Sequence, residues 1–86
     1  MTDNSVWTVY IIEAENGHLY TGITTDMTRR LSEHKTKQSG ARFFNTSPAK
    51  KIVYQETCSN RSIASKREAV IKKLNRKAKI ALIEHQ

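Results

Sequence analysis

A chain of 86 residues with one cysteine, Cys58, can form no internal disulfide and no thiolate cluster for zinc. A reducing interior suits it. One proline and three glycines leave no linker or low-complexity segment, and no internal repeat is visible. Apolar runs fall well short of the roughly 20 residues that cross a bilayer, and the first residues lack the basic-then-apolar pattern of an export signal. No membrane segment is expected, and the chain is expected to be cytoplasmic. Acidic residues are also scarce, at eight against fifteen Lys and Arg, for a formal charge of +7. Between Arg61 and Lys79 stand eight basic residues and one acidic residue, Glu68. A dense positive surface draws polyanions by releasing their condensed counterions, so the favoured partner is nucleic acid, DNA ahead of RNA.

What is present suits one small core. The length supports a single domain over residues 1–86, and 37% hydrophobic residues in short periodic runs argue against disorder. Residues 7–13, WTVYIIE, and 18–24, HLYTGIT, read as strands rich in aromatic and β-branched types. The connecting Ala14-Glu15-Asn16-Gly17 is a hairpin signal with two readings. A two-residue Asn16-Gly17 turn places Tyr10 and Tyr20 on opposite faces. A three-residue loop, with Gly17 left-handed in a bulge, pairs Tyr10 with Gly22 and Ile12 with Tyr20, so that both tyrosines share a face. The second register gathers Val9, Ile11, Leu19 and Ile23 on the other face.

Thr25 or Asp26 can cap a helix running to about Gln38, with Met27, Leu31 and His34 on one side, ended by Ser39-Gly40. Residues 41–48, with Phe43, Phe44 and Pro48, read as an ordered loop. Residues 51–57 read as a third strand, with Ile52 and Tyr54 on one face and Val53 on the other. Asn60 or Ser59 caps a long helix with Ile63, Arg67, Val70, Ile71 and Leu74 on its apolar side. Asn75 then caps a last helix through Ala78, Ala81 and Leu82. The expected fold is α+β: a three-stranded antiparallel sheet packed with helices in two layers, in the order β-β-α-β-α-α.

Tyr10-Ile11-Ile12 and the run Tyr20-Thr21-Gly22-Ile23-Thr24 resemble the paired tyrosine motifs of the GIY-YIG nuclease superfamily. The resemblance continues through Arg30, ten residues beyond Tyr20, through His34 and through Glu68. It covers nearly the whole chain and is closest to the small standalone, single-domain members. Thr8 departs from the pattern, standing where the first motif usually has Gly, and Val9 and Thr21 stand where Ile or Val is frequent. The ordered set of Tyr, Tyr-x-Gly, Arg, His and Glu is far more specific than either tyrosine motif alone.

The resemblance implies a catalytic set of Tyr10, Tyr20, Arg30, His34 and Glu68. One phenol would position or activate the attacking water, although a free tyrosine titrates near 10 and needs help to serve as a base at neutral pH. Arg30 offers a fork of donors matched to phosphate. His34, one turn beyond Arg30, could bond Tyr10 and take its proton. Glu68 would hold one Mg²⁺, for which Mn²⁺ can substitute; its other reading is an ion pair with Lys72 at i+4. Gly22 would relieve crowding beside Tyr10. Lys66, Arg67, Lys72, Lys73, Arg76 and Lys77 are expected phosphate contacts, joined by Lys50, Lys51, Arg61 and Lys79. With no recognition element evident in the sequence, base readout has little material. The implied activity is metal-dependent hydrolysis of DNA, structure-directed or weakly sequence-specific, in repair or processing. The alternative is a non-catalytic nucleic-acid-binding module on the same fold.

Overall fold

The computed structural model describes residues 6–36 and 48–85. Ser39-Gly40 and the aromatic pair Phe43-Phe44 lie outside the described residues. Three strands, β1 (Trp7–Ala14), β2 (Leu19–Thr24) and β3 (Ala49–Cys58), and three helices, α1 (Met27–Thr36), α2 (Arg61–Lys73) and α3 (Arg76–Glu84), follow the expected order. The sheet is antiparallel with order β2-β1-β3. Its central strand carries the apolar run Val9 through Ile12, all of it buried.

Of the two hairpin readings, the bulged loop is the one formed. Tyr10 pairs with Gly22 and Ile12 with Tyr20. Gly17 has φ +88, a left-handed conformation open to glycine at no steric cost. Its N–H donates to the Ala14 carbonyl at 2.9 Å, while the Ala14 N–H donates to the His18 carbonyl at 2.9 Å. Asn16 Oδ1 accepts from the His18 N–H at 3.1 Å, so the asparagine and the glycine of the loop each have a use.

The two sheet faces are covered by different helices, making three layers where two were expected. Val9, Ile11, Tyr54 and Cys58 form one cluster with Ala64 and Ile71 of α2, and Leu82 and Ile83 of α3 pack against it. Tyr10, Ile12, Ala14 and Ala49 form the other, with Met27 and Leu31 of α1 and with Tyr20 and Ile52 packed against it. A strand buried on both faces needs cover on both, which accounts for the extra layer.

Strand β3 corrects a second expectation. Ile11 pairs with Tyr54 but the next residue, Ile12, pairs with Ile52. Val53 is thus an extra residue on β3, and a one-residue bulge reverses the alternation beyond it. Ile52 and Tyr54 consequently join opposite clusters, with Val53 beside Tyr54.

Side-chain caps begin each helix. Asp26 Oδ1 accepts from the Arg29 N–H at 3.0 Å, Asn60 Oδ1 from that of Ile63 at 2.9 Å and Asn75 Oδ1 from that of Ala78 at 2.8 Å. Each bond satisfies an amide that the first turn leaves without a partner. The inward stripe of α2 differs from the expected one: Ala64 and Ile71 are buried while Ile63 and Val70 are 47% and 51% exposed. Both pairs are seven residues apart, so the two stripes lie about 100° apart around the helix. Arg67 lies between Ala64 and Ile71 on the inward stripe, and its Nε donates to Glu56 Oε1 on β3 at 2.9 Å, which also accepts from the Tyr54 hydroxyl at 2.6 Å. On α3, Leu82 and Ile83 face the core and Ala81 is exposed.

Candidate active site

Tyr10 projects from β1 onto the α1 side of the sheet and is fully buried. Its ring lies across Gly22 on the neighbouring strand, where a β-carbon would stand 2.5 Å from the Tyr10 hydroxyl oxygen and 2.7 Å from Cζ. Glycine is therefore required for this ring position. From α1, the fully buried His34 brings Nε2 to 3.0 Å from the Tyr10 hydroxyl. Tyr20, one strand over, completes a three-ring cluster. Its centroid lies 6.3 Å from that of Tyr10 and 5.3 Å from that of His34, the latter contact edge-on, which is within the range of favourable aromatic packing.

Burial sets the protonation of this cluster. It pushes the Tyr10 phenol up to about 12, opposed by a hydrogen bond from Arg30. It pushes His34 down to about 4, with the nearby Arg30 charge acting in the same direction. At neutral pH Tyr10 is a phenol and His34 a neutral imidazole. With the His34 proton on Nδ1, Tyr10 donates to Nε2 and accepts from Arg30, so its oxygen is held between a base and a fixed cation.

Arg30 is itself held. Its Nη1 donates to Glu33 Oε1 at 2.9 Å, and Glu33 also meets Arg29 Nε at 3.7 Å. Burial works against the Arg30 charge, but its bonds to Glu33 and Tyr10 outweigh that and raise its pKa. Glu33 is the site residue that sequence reasoning missed; the available signal was its spacing of three and four residues from two arginines on one helix face.

Glu68 stands on α2. Its carboxylate is 22% exposed and pairs with Lys72 Nζ at 3.3 Å, so the i+4 ion pair is present. The same charge also helps to raise the Tyr10 pKa, which puts Glu68 within electrostatic reach of the phenol. Among the described residues no three His, Cys, Asp or Glu gather as metal ligands, a composition unsuited to structural zinc. One accessible carboxylate fits a hard divalent cation that keeps most of its water. Its counter-ion, Lys72, is 54% exposed and can swing into solvent.

Tyr10, Tyr20, Arg30 and His34 thus converge from three elements, and Glu68 joins them through its field. The expected phosphate contacts are more dispersed. Lys66, Lys72, Lys73, Arg76 and Lys77 are exposed on α2 and α3, and Lys50 and Lys51 on β3. Arg61 lies over the Trp7 ring with Cζ 5.8 Å from its centroid. Arg67 is turned to Glu56, and Arg76 Nη1 donates to the Gly17 carbonyl at 2.9 Å. No helix among the described residues is long and apolar enough to cross a membrane.

The chain matches the GIY-YIG catalytic domain family over residues 6–81. A UPF0213 protein of Desulfotalea psychrophila is 46% identical over 83 residues, 96% of this chain and 76% of that protein. A UPF0213 protein of Pseudomonas aeruginosa is 47% identical over 77 residues, 90% of this chain and 73% of that one. The solution NMR structure of a UPF0213 protein from Bacillus halodurans superposes with a TM-score of 0.61 at 28% identity, covering 94% of this chain and 85% of that chain.

Proposed function

We propose that this chain, which belongs to the GIY-YIG catalytic domain family, is a metal-dependent endonuclease that hydrolyses DNA phosphodiester bonds in repair or processing. The observation that carries the reading is the Tyr10 hydroxyl, set 3.0 Å from a buried neutral His34 and bonded by Arg30. Such an arrangement has a chemical use that a binding module would not need.

The half-buried Tyr20 and Arg30 form the mouth of the site, with Tyr10 and His34 as its floor. Tyr20 orients the attacking water by hydrogen bonding. As that water attacks phosphorus, Tyr10 Oη takes its proton and passes its own to His34 Nε2. The magnitudes favour this relay over a standing phenolate. With Tyr10 near 12 and His34 near 4, a phenolate at pH 7 costs about 7 kcal/mol and a protonated His34 about 4 kcal/mol. Arg30 meets a nonbridging phosphate oxygen with donors already oriented by Glu33, so charge developing on phosphorus is stabilised without reorganisation. Glu68 would hold Mg²⁺ or Mn²⁺, which when bound supplies Lewis-acid stabilisation to the phosphate and to the leaving 3′ oxygen.

Selectivity follows from how the basic residues are spread. Lysines and arginines on α2, α3 and β3 can neutralise a backbone from several directions without contacting base edges. Structure-directed or weakly sequence-specific cleavage is the result. The test is incubation of the purified protein with branched, flapped, nicked and linear DNA in Mg²⁺, Mn²⁺ or chelator. Nicking that needs the metal and stops with chelator is expected. Binding without cleavage of any substrate would identify a non-catalytic nucleic-acid module instead.

A further inference from the structure

At the end of the β1–β2 hairpin, on the side away from the tyrosines, a cleft of about 210 Å³ is lined by His18, Leu19, Arg76 and Lys79. Its polar lining is wholly basic. Arg76 is fixed at the cleft by its 2.9 Å bond to the Gly17 carbonyl, and Lys79 is half-buried in the first turn of α3. Among the described residues no carboxylate pairs with Arg76 or Lys79. Two cations lining one cleft with no carboxylate between them focus a positive potential that an anion can occupy. Arg76 supplies a planar fork and Lys79 a point charge, and together they match the oxygens of a phosphate.

We infer that this cleft is a second phosphate-binding site, which holds a phosphate group of the nucleic acid beside the one being cut. The inference rests on the nucleic-acid reading above and adds a fixed contact to it. Leu19 and Tyr20 are consecutive on β2, so their side chains leave opposite faces with Cα atoms about 3.8 Å apart. β2 is an edge strand. One nucleic-acid strand passing over that edge meets Tyr20 on one side and the Arg76–Lys79 cleft on the other. The cleft then sets the register of the scissile phosphate without contacting a base.

The direct test is a ¹H–¹⁵N NMR titration of the full chain with inorganic phosphate, against chloride at matched ionic strength. Saturable shifts confined to residues 17–19 and 76–79 are expected, weakened at least fivefold in Lys79→Gln and restored in Lys79→Arg. Shifts spread along α2, or none, would overturn the site. A second arm compares short single-stranded DNAs with a 5′-phosphate or a 5′-hydroxyl, in chelator so that nothing is cut. Tighter binding of the phosphorylated strand, abolished in Lys79→Gln, assigns the cleft to a terminal phosphate. Equal affinities, both weakened by the substitution, assign it to a backbone phosphate; affinities untouched by the substitution would contradict the proposal. Cleavage is scored separately, so a protein that binds phosphate here without cutting DNA refutes the nuclease reading alone.

Discussion

The two faces of the sheet are built on different terms. On the α2 and α3 side, Val9, Ile11, Ala64 and Ile71 pack as an aliphatic cluster, joined by Tyr54 with its hydroxyl turned to Glu56. On the α1 side, a buried phenol and a buried imidazole occupy the corresponding depth. Fully burying a Val or Ile contributes about 1.5–3 kcal/mol, whereas a buried polar group must first recover its desolvation through hydrogen bonds. The first face holds the protein together. The second gives up some of that stability to keep Tyr10 protonated and His34 neutral beside Arg30, and a central strand buried on both faces lets one structure do both.

The contrast can be broken most severely at Ile71. Truncation to Ala leaves a cavity in the aliphatic cluster and should reduce stability by about 2–5 kcal/mol, read by urea unfolding. Cleavage per folded molecule at low temperature should fall far less than stability, since the α1 cluster is untouched and Glu68 keeps its place on a folded α2. A selective loss of cleavage would mean that the faces are not separable.

Acid should undermine the other face. His34 has a folded pKa of about 4 against an ordinary 6.5, so between those values the folded protein binds fewer protons than the unfolded chain. Stability therefore rises with pH through that window and is lost on acidification, by about 3 kcal/mol once pH is below both values. Urea unfolding from pH 4 to 7 should show this slope, and His34→Phe should flatten it. An equal slope in the variant would place His34 in contact with water.

Gly22→Ala acts through contact alone. The new methyl must displace the Tyr10 ring, at a cost of about 1–3 kcal/mol in stability, and because the displaced hydroxyl leaves His34, cleavage should fall further than stability does. Normal cleavage would separate the ring position from function. The smallest change expected is a gain: the Thr21 hydroxyl is buried on β2 without a hydrogen-bond partner, so Thr21→Val should stabilise by about 1 kcal/mol and leave cleavage unaltered.

Much of this architecture was legible in the residues, and the misreadings have physical causes. Asn60 and Asn75 were both recognisable caps because an Asx side chain ahead of a periodic run has few other uses. Asn16-Gly17 suits either hairpin, so only strand pairing could choose between them. Nothing in Ala49–Cys58 marks the bulge at Val53, since it contains no glycine and its alternation reads cleanly. Ile63 and Val70 mislead because their seven-residue spacing runs parallel to that of the buried Ala64 and Ile71, and the small Ala64 and charged Arg67 disguise the inward stripe. His34 shares a helix side with Met27 and Leu31, but nothing in the sequence shows how deep it lies. The influence of the Glu68 charge on Tyr10 is a product of the tertiary fold, and before the structure only the motif resemblance pointed to a shared site.

The central claim is that Glu68 serves the chemistry and does more than pair with Lys72. Its most direct measurement is single-turnover DNA cleavage by Glu68→Gln across a range of Mg²⁺, with circular dichroism and chelator-present DNA binding on the same preparation. Loss of the Lys72 pair alone would cost about 0.2–0.5 kcal/mol of stability. The account predicts an intact fold, binding that is level or tighter as a negative charge is removed, and cleavage reduced by orders of magnitude at every Mg²⁺ concentration. Wild-type cleavage by the folded variant would contradict it.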